Sequence, residues 1–151
     1  MKSRFFVGVA VVLVLIWFVT LAAFPSALDE FKDFKVEMPA LTMLWVGFYH
    51  IGGWLLLGAG VVGVALLLGM RWRLGWWLAF GMSVLLDVFC LSLAMPLIAL
   101  RNNLSGGDDA LLPLLIVTAP PLFPFWLLLV VAVNQLIKAA LLFNRRAFFA
   151  R

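Results

Sequence analysis

Long apolar runs alternate along this chain with short polar joints. The first run is Phe5–Phe24, FFVGVAVVLVLIWFVTLAAF, followed at once by Pro25. The second extends over 42–70, the third over 74–100, and the fourth lies within 110–143. Each holds the roughly 20 apolar residues that a helix needs to cross about 30 Å of hydrocarbon. The runs are apolar all round rather than alternating with a period of two, so they read as membrane helices and not as barrel strands. The fourth is too long for one straight crossing, and Pro120, Pro121 and Pro124 in TAPPLFPFW interrupt it. The pattern therefore predicts an all-α polytopic membrane protein, a single domain over 1–151 with four transmembrane helices at about 5–24, 42–70, 74–100 and 123–143. Residues 111–119 are expected partly in the outer interface.

Composition agrees with the pattern. Of 151 residues, 66% are hydrophobic and 12% charged, more apolar surface than a soluble fold of this length can hide. Lipid must cover it. Lys2 and Arg4 ahead of an apolar run also suit a signal peptide, but the run has the length of a retained helix. Charge placement sets the orientation. Lys2, Arg4, Arg71, Arg73, Lys138, Arg145, Arg146 and Arg151 share one side with no acid, whereas the acids outside the spans all fall on the other. By the positive-inside rule both termini are cytoplasmic, and the net charge of +4 belongs to this asymmetry rather than to nucleic-acid binding. Aromatic residues are expected as interfacial belts: Trp45, Phe48 and Tyr49 outside, and Trp72, Trp76, Trp77, Phe148 and Phe149 inside.

The joint at 25–41 is the most particular piece of polar sequence. In FPSALDEFKDFKVEMPALT, Phe31, Phe34 and Val36 can pack on the membrane while Asp29, Glu30, Lys32, Asp33 and Lys35 stay wet, as in an interfacial amphipathic turn. Pro39 ends that turn, and Thr42 is placed to cap the next span. The set Pro25, Phe31, Phe34, Glu37, Pro39, Leu41 and Thr42 resembles the extracytoplasmic segment of the type II secretion system F family, which includes the type IV pilus inner-membrane platform proteins. LSLAMPLIAL, at 91–100, is similar to that family's final span. The resemblance covers roughly residues 10–104 and implies a membrane scaffold in a bacterial inner membrane. The family's cytoplasmic domains have no counterpart here, since only RWRLG separates the second and third spans, and a fourth span is added. Coupling to an assembly ATPase is therefore not implied.

The candidates for polar chemistry inside the spans are His50 in the second, Asp87 in the third, and Asn134 and Gln135 in the fourth. Ionisable groups in hydrocarbon are costly and draw functional attention. One reading makes Asp87 and His50 a proton relay, giving a small transporter or proton-handling subunit. The other makes Asp87 a neutral acid bonded to an amide of the fourth span, joining two helices. At 1.5 Å rise per residue Asn134 falls near the depth of Asp87, with Gln135 next, and a relay would need a longer chain of such groups. Gly52, Ala59 and Gly63 share one face of the second span and allow close helix approach, within the chain or between copies. The lone cysteine, Cys90, excludes an internal disulfide, and the lone histidine excludes bis-histidine haem. No catalytic constellation, cofactor motif or metal-ligand spacing is present. The expected function is a non-enzymatic scaffold or assembly subunit whose partners are the lipid bilayer and other membrane proteins or a second copy.

Overall fold

A computed structural model describes residues 2–33, 38–70, 72–104 and 123–149, and every regular element among them is helical. In chain order these are α1 (Lys2–Asp33), α2 (Ala40–His50), α3 (Gly53–Met70), α4 (Trp72–Leu104), α5 (Phe123–Phe143) and the short α6 (Arg145–Phe149). Three stretches are long and apolar enough to cross a membrane: Val7–Pro25, Gly53–Met70 and Arg73–Ala94. Leu127–Phe143 is a shorter apolar stretch. The outward faces are as apolar as the inward ones. Phe18 is 70% exposed, Leu56 72% and Leu136 69%, an arrangement that lipid tolerates and water does not.

α1 packs on α3, α3 on α4, and α4 on α5. The α3–α4 turn is tight. A Cβ on Gly75 would stand 2.7 Å from the Leu68 backbone nitrogen, so only glycine lets the two backbones approach this closely. Further along, Gly60 faces Met82, which makes α3 and α4 antiparallel. Trp76 donates its Nε1 hydrogen to the Leu141 carbonyl at 2.9 Å, and Ser83 meets Asn134, so α5 runs antiparallel to α4 as well.

Three expectations about the elements change. α1 does not close at Pro25 but continues to Asp33. Proline costs a helix one internal bond, and here Phe24 and Leu28 are buried on either side of it, so packing holds both halves in line. The second span is not one helix. Gly52 adopts φ +79°, with its N–H bonded to the Tyr49 carbonyl, and this left-handed residue ends α2 before α3 begins. Thr42 does not cap α2, which starts at Ala40 after Pro39 with no side-chain cap. Its hydroxyl is buried and donates to the Ser92 carbonyl of α4 at 2.6 Å. The expectations for Phe34, Glu37 and 111–119 lie outside the described residues, as do those for the side chain of Phe31.

The core is aromatic at its centre. Phe89 of α4 meets Trp45 edge-on at 4.9 Å, Phe24 at 5.1 Å and Trp17 at 6.3 Å between ring centroids. Trp45 and Trp76 are 6% and 2% exposed, so neither is a belt residue; both serve packing. Trp77, at 53%, keeps the outward position expected of an interfacial anchor. At this end α6 folds back on α4. Phe149 meets Trp76 edge-on at 5.5 Å, and the Arg145 guanidinium lies 5.8 Å from the Trp76 ring centroid.

Candidate functional site: a polar seam between α4 and α5

The seam begins as a helix pattern. On α5 the buried residues are Leu127, Val130, Asn134, Ile137 and Leu141, alternating steps of three and four that keep one narrow face against α4. Asn134 is the polar member of that face and is wholly buried. On α4, Ser83 and Asp87 stand one turn apart, so both reach the same stretch of α5.

Asn134 is bonded at both ends of its amide. Its Nδ2 donates to the Ser83 carbonyl at 2.8 Å and to Asp87 Oδ1 at 2.6 Å, while its Oδ1 accepts from the Ser83 hydroxyl at 2.5 Å. Gln135 Nε2 also donates to Asp87 Oδ1, at 3.1 Å. Lys138, one turn further on, brings its ammonium to Asp87 Oδ2 as a hydrogen-bonded ion pair. Among the described residues Asp87 thus receives bonds from three α5 side chains and gives none. An acceptor-only carboxylate accounts for all three bonds, with the Lys138 ammonium as its ion-pair partner.

This geometry brings together Asp87, Asn134 and Gln135, as the depth argument anticipated, and adds Ser83 and Lys138. Lys138 stands in the sequence as one of the cytoplasmic bases, and its helical register was the available signal. It lies four residues beyond Asn134 and therefore on the same side of α5. Its aliphatic stem spans the remaining distance. His50 is elsewhere. It is exposed at the end of α2, and its ring contact is Tyr49, edge-on at 6.2 Å. None of the groups bonded to Asp87 connects to it.

Cys90 is a buried free thiol one turn from Asp87. Gly52 serves the kink rather than a helix contact. A Cβ on Gly52 or Gly63 would meet no atom within 4 Å, and Ala59 is exposed, so these residues form no close seam among the described residues. The close approaches are at Gly53, under the Phe48 ring, and at Gly75. Pro25 and Leu41 are half-buried, and Pro39 and Thr42 begin and anchor α2. Between α1 and α3 runs an open apolar groove of about 510 Å³, bordered by Trp17, Leu21, Tyr49, Trp54 and Ala59. Among the described residues no group of three His, Cys, Asp or Glu side chains gathers.

Comparison with known proteins returns no matching family, no matching curated protein and no matching solved structure.

Proposed function

We propose that this protein is a non-enzymatic scaffold or assembly subunit of a bacterial inner membrane. It crosses four times, with α5 as the last crossing, both termini in the cytoplasm, and residues 25–41 and 101–110 outside. The observation that carries the reading is the destination of Asp87's hydrogen bonds. Among the described residues each ends on α5, so the most conspicuous polar group in the spans is spent on joining two helices. A relay needs a chain of exchangeable groups, whereas His50 stands apart on α2. The antiparallel succession of α3, α4 and α5 supports the even number of crossings. The likeness of 25–42 to the secretion and pilus platform core belongs to the same proposal.

Extraction from native membranes in mild detergent tests the assembly role. The chain is expected in a stable complex with further protein subunits or copies of itself. Recovery as a lone chain that carries protons into vesicles, with the flux abolished in a folded Asp87→Leu, Lys138→Met double variant, overturns it in favour of transport. Reporter fusions after Arg73 and after Gly107 test the topology and are expected in opposite compartments; the same compartment for both refutes it.

A further inference from the structure

α5 carries a second seam that the described residues leave uncovered. Leu128, Ala132, Gln135, Ala139 and Leu142 follow one another in steps of four, three, four and three, the same spacing as the buried face, and all of them are exposed. At 100° per residue they occupy an arc of about 80°, displaced from the α4 contact around the helix. Their character is specific. An exposed amide stands at the centre, alanines flank it one turn away on each side, and leucines close both ends. In hydrocarbon an outward amide is an unmet hydrogen-bonding demand, and small residues beside it let another backbone come close enough to meet it.

We infer that this face is the contact between two copies of the chain, with Gln135 bonded to Gln135 across a two-fold axis normal to the membrane. Two identical helices inserted in the same direction place their Gln135 residues at equal depth. Gln135 spends one N–H on Asp87, which leaves its second N–H and its carbonyl oxygen, a donor and an acceptor that complement their own images. Charge also permits the contact. Lys138 and Asp87 lie beside the seam and neutralise each other within each chain, so no like charges are forced together. Their side chains keep 17% and 30% exposure, which a second copy would cover. The Ala59 and Gly63 face of α3 offers small residues but no polar group. This contact rests on the reading of α5 as a membrane crossing, and it names the partner that the scaffold reading leaves open.

The test uses the full chain with Cys90→Ala, carrying Ala132→Cys or Ala139→Cys, in its own membranes. Oxidation is expected to give a disulfide-linked dimer at both positions and none at Ala59→Cys. Energy transfer between labelled copies diluted into vesicles is expected to show a dimer that Gln135→Leu weakens by about 3- to 30-fold and Gln135→Asn weakens less. A link at Ala59→Cys alone, a link to a different protein, or the absence of a dimer overturns the inference. The same thiols report on the reading beneath it. Shielding from a membrane-impermeant reagent without dimerisation sinks the dimer and keeps the crossing, whereas ready labelling from water sinks both.

Discussion

The two sides of α4 hold their neighbours by different physics. On one side Phe89 gathers Trp17, Phe24 and Trp45 into a cluster with no directional bond among the rings. On the other, Ser83 and Asp87 take part in hydrogen bonds and an ion pair with three side chains of α5. Lipid tails are as apolar as leucine, so neither side gains from withdrawing apolar surface from water. The aromatic side depends on dispersion and fit, many small contacts that disappear when volume is removed. The polar side depends on matched partners. Its groups have no alternative in hydrocarbon, so removing one leaves another stranded.

That contrast can be broken most forcefully at Asp87. Asp87→Leu is expected to cost about 3–5 kcal/mol, because the Lys138 ammonium loses its counter-charge. Asp87→Asn is expected to cost nearly as much for the same reason. The amide that suffices for helix joining in the sequence reading cannot balance a lysine. Pairing Asp87→Leu with Lys138→Met should restore most of the loss, and denaturant titration in micelles measures all three. A double variant as unstable as the single one would show that the seam depends on more than charge matching.

The aromatic side should respond to volume instead. Phe89→Ala is expected to destabilise by about 2–4 kcal/mol and Phe89→Leu by clearly less in the same titration. Equal losses would mean that ring geometry, not filled space, holds that side together. Gly75→Ala is expected next, at about 1–3 kcal/mol, since its methyl group meets backbone rather than a movable side chain. Gly63→Ala is its control, with open space around it and no expected change. The smallest effect belongs to Thr42→Val, about 0.6 kcal/mol for one interhelical hydrogen bond. Hydrogen exchange should then speed up in α2 while the α4–α5 seam stays protected.

Some of the site could be read directly from the chain. The 1.5 Å rise of a helix placed Asn134 and Asp87 at one depth, and the structure joins them at 2.6 Å. Lys138 could not be read in the same way. A base near the end of an apolar run fits the positive-inside pattern, and counting charges does not reveal which base turns into the bundle. Trp45 and Trp76 carry the same ambiguity, because tryptophan suits both an interfacial belt and a core position; in the core Trp76 reaches the Leu141 carbonyl, whereas Trp45 Nε1 is buried with no hydrogen-bond partner among the described residues.

What the sequence determined by itself is whatever depends on length and polarity along one dimension. The helical class and the apolar character of the three long candidate spans follow from hydrocarbon thickness and from the demand that every backbone group be bonded within the segment, and α5 keeps the bounds Phe123–Phe143 expected of the last apolar run. Tertiary structure decided what depends on direction around a helix axis and on neighbours far away in the chain. Pro25 stays within α1 because Phe24 and Leu28 are packed on both sides of it. Thr42 bonds across to Ser92 instead of capping its own helix, and Lys138 answers Asp87. In hydrocarbon any residue of an apolar helix is equally at home facing out or in, so hydropathy carries no sign of which face turns inward. Only the fit of one helix surface against another supplies it.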